Sequence, residues 1–239
     1  MTTPRPAASR RELANLGPLE QLRAGRMTRR LVQLVIGLAI YGASMAMVVR
    51  AGLGVIPWDV LHTGLIQHIP VSFGTMTILV SLVVLLMWVP LRQRPGLGTI
   101  ANAFLVGISA DLTLALLGPV EDVAARNALL VGGIVLNGMA TAMYIGSQLG
   151  PGPRDGLMTG LARVSGRSIR LVRTGMEVTV VLLGWLLGGA VGVGTVLYAV
   201  AIGPLAQLML PWFTVDLRLP VVAPDASRPE DRAGTVSGE

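Results

Sequence analysis

Residues 30–112 slide onto residues 126–208 without a gap and agree at 26 of 83 positions. The agreement falls on residues that are hard to replace. Gly54-x-x-Pro57-x-Asp59-x-Leu61-x-Thr63-Gly64-Leu65 matches Gly150-x-x-Pro153-x-Asp155-x-Leu157-x-Thr159-Gly160-Leu161. Gly96-x-Gly98-Thr99 matches Gly192-x-Gly194-Thr195, and Gly107 matches Gly203. Glycines and prolines shared at a constant offset of 96 residues mark a duplicated unit.

Each unit carries three apolar runs, near 31–49, 73–91 and 97–118 in the first and 128–146, 174–190 and 193–212 in the second. About 20 helical residues cross a hydrocarbon core of about 30 Å. Three crossings is an odd number, so the second unit enters the membrane from the opposite face. Units of this kind are related by a pseudo-two-fold axis in the membrane plane, as in many secondary transporters, whose sites lie between the halves. The expected fold is an all-α membrane protein, a six-helix transmembrane bundle of two inverted three-helix repeats with short broken or re-entrant segments. The repeats occupy 30–125 and 126–213, between a cytoplasmic segment, 1–29, and a disordered cytoplasmic tail, 214–239. Leucines at 13, 16, 19 and 22 suit a short interfacial helix, interrupted at Gly17-Pro18.

Composition leaves few other classes open. Of 239 residues 52% are hydrophobic and only 13% charged, whereas a soluble domain carries about 25% charged residues. There is no cysteine, which removes disulfides, thiolate metal sites and a cysteine nucleophile, and two histidines are too few for a His-rich metal cage. The net charge of +6 would suggest nucleic acid in a soluble chain. Here the cations are all arginines placed between apolar runs, the positive-inside pattern. Seven precede the first run, Arg92 and Arg94 follow the second, and Arg154, Arg163, Arg167, Arg170 and Arg173 follow the fourth. The alternate connections hold only Arg50 and Arg126. Both termini are therefore expected in the cytoplasm, with the first run a retained span rather than a cleaved signal.

The two motif segments, 55–70 and 151–165, are too short and too broken to cross. In each, Gly and Pro end one helix and the Asp two residues after the Pro is placed to cap another. Two readings stand side by side. Pro-x-Asp and Thr-Gly are ordinary turn and packing chemistry. Alternatively a helix dips between the halves, where irregular backbone is tolerated only when it is buried in protein or lines water. Asp59 and Asp155 then face a central cavity with Thr63 and Thr159 one turn on. Trp58 and Arg154 occupy equivalent positions; Arg154 is a positive-inside charge, or else a bidentate clamp for a carboxylate or phosphate.

Two further charges lie within runs. Glu177 has Arg173 one turn earlier and reads as a structural ion pair. Asp111 has no local partner, which makes it a candidate for ion or proton handling. Asn102 and Asn137 are polar residues suited to pairing helices.

With these residues in view, the sequence resembles the YczE-like group (YczE/YyaS/YitT) of bacterial integral membrane proteins. The resemblance rests on Arg50-Ala-Gly-Leu-Gly with Pro57-Trp58-Asp59, on Gly98-Thr99-Ile100-Ala101-Asn102, on Gly150-Pro-Gly-Pro-Arg-Asp-Gly-Leu-Met158 and on Gly192-Val-Gly-Thr195. It implies a multi-pass protein of the bacterial plasma membrane and carries over no catalytic residues.

Two functions follow from the pattern. One is a small secondary transporter with its site at the repeat interface, built from Asp59, Thr63, Asp111, Arg154, Asp155 and Thr159. The other is a non-transporting scaffold or accessory subunit. An enzyme is not expected, since HExxH, GxSxG and Walker motifs are all missing. No metal and no cofactor are called for. The expected partners are the lipid bilayer, an unidentified small molecule or ion, and a second copy or a membrane protein, but not nucleic acid.

Overall fold

A computed structural model describes residues 17, 20, 21 and 24–217. The leucines at 13, 16, 19 and 22 and the tail beyond residue 217 lie outside the described residues. Among the described residues there are eight helices of nine or more residues and no strand. They are α1 (Met27–Ala51), α2 (Pro57–Leu65), α3 (Phe73–Met87), α4 (Leu97–Leu116), α5 (Val123–Gly146), α6 (Pro153–Ser165), α7 (Ile169–Leu186) and α8 (Val193–Phe213).

All six apolar runs fall on helices, but only α1, α4, α5 and α8 are long and apolar enough to cross a membrane. The run at 73–91 ends as helix α3 at Met87, giving a shorter apolar helix of 15 residues. Helix α7 carries Arg170, Arg173 and Glu177 in its first half. Many large apolar side chains point outward, among them Leu86, Val89, Leu116, Val193 and Val200, and Leu116 is 86% exposed. An apolar exterior of this extent suits hydrocarbon rather than water.

Local chemistry sets the helix ends. Ser72 Oγ accepts from Thr75 N at 3.1 Å to cap α3, and Asp122 does the same for α5 from Ala125 N at 2.7 Å. Pro57 and Pro153 occupy the first turns of α2 and α6, where the missing N–H costs nothing. Asp59 and Asp155 are therefore not the expected caps. Ile56 and Gly152 take the cap positions, and each Asp lies inside the first turn with its side chain free for other partners.

Helices α1 and α5 pack along one another at the centre, with α4 against α1 and α8 against α5. The short helices are exchanged: α2 packs on α7, and α6 packs on α3. Several contacts recur 96 residues apart. Gly98 N donates to Leu149 O at 2.7 Å, and Gly194 N to Leu53 O at 2.8 Å. These bonds bring Gly54 against Gly192 and Gly150 against Gly96, backbone to backbone, and both Gly54 (φ 104°) and Gly150 (φ 118°) are left-handed. A side chain at either position would meet both a steric and a conformational penalty.

Arginines close the same junctions. Arg30, fully buried, donates from Nε to Ser147 O at 2.8 Å and from its terminal nitrogen to Gln148 O at 2.6 Å. Arg126 donates likewise to Ala51 O at 2.7 Å and Gly52 O at 2.8 Å. Each guanidinium thus satisfies carbonyls at the C-terminal end of the other long central helix, where its charge also suits the helix dipole. Arg50 is similarly bound to Leu114 O at 2.5 Å. Arg50 and Arg126, the two cations that ran against the charge asymmetry, are therefore both tied to backbone. The tail expected from 214 starts packed. Thr214 and Val215 are buried, and Val215 N donates to Gly146 O at 3.0 Å.

Candidate functional site

Two cavities flank the starts of α2 and α6. The larger, about 240 Å³, is bounded by α5, α6, α7, α8 and the start of α2. The smaller, about 60 Å³, is bounded by α1, α2, α3, α4 and the start of α6. Ile56, Trp58, Tyr144, Arg154 and Asp155 line both and form the wall between them. The two linings correspond at the 96-residue offset. Trp58, Asp59, His62, Thr77, Val80 and Ser81 stand where Arg154, Asp155, Met158, Arg173, Met176 and Glu177 stand in the larger cavity.

The cavities differ in size because the flanking helices differ in packing. Helix α3 lies against α4, and a Cβ on Gly107 would overlap the carbonyl oxygen of Gly74. Helices α7 and α8 scarcely touch, and Gly203, equivalent to Gly107, has nothing within 4 Å.

Charged and aromatic groups line the larger space. Arg173 Nε meets Glu177 Oε1 at 2.9 Å, so the expected ion pair exists, and both partners face the cavity rather than serving only the helix. Asp155 accepts a short hydrogen bond from the Tyr144 hydroxyl. The Arg154 guanidinium lies 5.4 Å above the Tyr41 ring, and among the described residues no carboxylate lies within ion-pair distance of it. Its five N–H donors form a planar fork that matches a carboxylate or phosphate. Asn137, fully buried, donates to Ser44 Oγ at 2.8 Å and accepts from the Tyr198 hydroxyl at 2.7 Å, joining α1, α5 and α8 beneath the site. Asn102, its expected companion, lines the smaller cavity instead.

In the smaller cavity Asp59, 1% exposed, places Oδ1 3.0 Å from His62 Nδ1. Its other oxygen, Oδ2, is buried without a hydrogen-bond partner. Thr77 donates to Phe73 O at 2.9 Å and lies 3.4 Å from the same imidazole nitrogen.

Of the expected site residues, Arg154 and Asp155 meet in the larger cavity and Asp59 lies in the smaller. Thr63, Thr159 and Asp111 line neither. Thr63 bonds to the carbonyls of Asp59 and Val60 and accepts from Ala190 N at 3.2 Å, which fastens α2 to the loop after α7. Thr159 is exposed and bonds back to Gly156 O at 3.1 Å. Asp111 is not unpartnered. It accepts from Ser72 Oγ at 2.5 Å and from Gly74 N at 2.7 Å, and so holds the N-terminus of α3 to α4. Sequence reasoning did not assign His62, Tyr144 or Tyr198 to the site. His62 had a visible signal, an Asp one turn earlier inside the repeated motif; the two tyrosines had none.

Comparison with known proteins places the chain among membrane proteins. The model of a family of unknown function, DUF6198, matches residues 28–211. An uncharacterized protein of Haemophilus influenzae is 41% identical over 74% of this chain and 81% of its own length. The uncharacterized membrane protein YczE of Bacillus subtilis is 32% identical over 72% of this chain and 80% of its own. YyaS of the same organism is 30% identical over 74% and 90%. No solved structure matches. With its apolar helices, the chain is a multi-pass membrane protein.

Proposed function

The chain belongs to the DUF6198 family, and we propose that it is a small secondary carrier built from two inverted copies, with its substrate site in the larger cavity. One observation carries this reading: α3 is closed on α4 while α7 stands away from α8. In an inverted duplication, the two halves exchange conformations when the protein turns from one face to the other. A closed half beside an open half is the asymmetry that such an exchange requires. The recurrence of the Gly54–Gly192 and Gly150–Gly96 contacts and of the two arginine clasps supports the duplication.

The arginine asymmetry supports an orientation with both termini and the Gly150–Leu161 motif on the cytoplasmic side of the plasma membrane. Arg173 and Glu177, near the start of α7, then mark the larger cavity as the one reached from the cytoplasm. The unpaired Arg154 fits a small organic anion, with Met158, Met176 and Ile202 against its apolar part.

The test needs no knowledge of the substrate, because the chain has no cysteine to remove. Spin labels are placed at Leu79→Cys with Phe104→Cys across α3 and α4. A second pair, Gly175→Cys with Val200→Cys, spans α7 and α8 at the equivalent positions. A carrier in lipid nanodiscs gives two distances for each pair, with opposed populations. A single distance at each pair leaves the scaffold or accessory-subunit reading in its place.

A further inference from the structure

One buried group, on the smaller cavity, has no part in anion binding at the larger. Asp59 is almost fully enclosed on a nine-residue helix, and Oδ2 faces no donor. A carboxylate held this way in a low-dielectric site is costly unless its charge is cancelled. Among the described residues the one base on it is the imidazole of His62. We propose that Asp59 and His62 form one proton-binding site whose proton is exchanged as the carrier changes face, an inference that rests on the carrier reading above.

The pair is neutral with one proton whichever partner holds it, as carboxylate with imidazolium or as carboxylic acid with imidazole. Without that proton it is a buried net negative charge. A metal cation is a poorer occupant. Hard cations take six or more oxygens, whereas here one imidazole nitrogen, one carboxylate and the Thr77 hydroxyl converge, and among the described residues no group of three His, Cys, Asp or Glu gathers.

The surroundings leave the proton to this pair. Tyr41 of α1, Tyr144 of α5 and Arg154 and Asp155 of α6 are the other ionisable groups on the smaller cavity. Asp155 is occupied by Tyr144, and α3 and α4 bring only Thr77, Ser81 and Asn102 as polar side chains. On α7 and α8, Arg173, Glu177 and Tyr198 line the larger cavity. Met158 replaces His62 in the second half, so the site occurs once per chain.

The sign follows from solvation. In the arrangement seen here Asp59 is almost fully buried beside a cavity of about 60 Å³, which favours the protonated, neutral pair. When α3 leaves α4, water reaches Asp59, the carboxylate is solvated, and the proton departs to the side then open. Low pH therefore favours the present arrangement, and the ratio of the two arrangements changes by up to about tenfold per pH unit for one proton.

Two measurements test this. In the His68→Gln chain, imidazole nitrogen resonances report His62 alone, since the sequence has only two histidines. Titration from pH 5 to 9 is expected to show a single step that moves or disappears in Asp59→Asn. The absence of any step, or a step indifferent to Asp59→Asn, overturns the site. The spin-label pairs are then followed over the same range in the otherwise native chain and in Asp59→Asn. The expected result is a population shift toward closed α3–α4 at low pH, flattened by Asp59→Asn. Two distances with pH-independent populations overturn the coupling and leave the carrier intact. A single distance overturns the carrier and the coupling together.

Discussion

Trp88 lies against Gly156 so closely that a Cβ at position 156 would overlap the indole ring, and Trp88 Nε1 donates to Pro153 O at 2.9 Å. The equivalent pair in the other half is reversed: Gly184 is the small residue, and the backbone of Val60 fills its space. Each short helix is seated in the opposite half through one small and one larger residue.

This complementarity makes Gly156→Val destabilising by overpacking, by about 1–3 kcal/mol. Adding Trp88→Gly recreates the arrangement of the other half and is expected to recover at least half of that loss. Thermal unfolding in detergent of the two single variants and the double variant measures the coupling. Additive losses would refute the reciprocal fit.

Gly107 and Gly203 distinguish the packing of α3 on α4 from that of α7 beside α8. Gly107→Ala has no room beside Gly74 and Ile78 and pushes α3 off α4, so the distance between labels at 79 and 104 lengthens. Gly203→Ala meets nothing within 4 Å and leaves both label pairs unchanged.

Asp111 straps the N-terminus of α3 to α4. Its replacement in Asp111→Ala removes the bonds to Ser72 and Gly74, a capping loss of about 1 kcal/mol, which on the carrier reading proposed above moves the α3–α4 population toward the open state about fivefold. Spin-label populations at fixed pH measure this. An unchanged pH slope in the same variant distinguishes it from Asp59→Asn.

Asn137 ties three helices through two side-chain bonds. Asn137→Leu is expected to lower stability by about 1 kcal/mol, within the range of interhelical hydrogen bonds in membranes. A lower midpoint in thermal unfolding, without loss of the doubled label distances, is the expected result.

The long helices and the motif segments were legible because they depend on local chemistry: apolar run length, and Gly and Pro placement. The first identity in the repeat, Arg30 with Arg126, was also visible, but counting charges for orientation hid its structural use. What could not be read is long-range. Tyr144 reaches Asp155, and Asp111 reaches Ser72 39 residues upstream. Neither distance is implied by helical periodicity, which orders residues only within one helix. The unequal packing of α3 on α4 and α7 on α8 was equally out of reach, because the repeat gives both halves the same pattern.

Arg30 also constrains how the protein is made. Two of its three carbonyl partners, at 147 and 148, are more than a hundred residues downstream and one, Gln21 O, is local, so while α1 is being synthesised its guanidinium is only partly satisfied. An incompletely paired arginine is held toward the headgroup level by snorkelling. The first helix must therefore wait near the interface, and it settles to its final depth only when the second half has been threaded through the membrane.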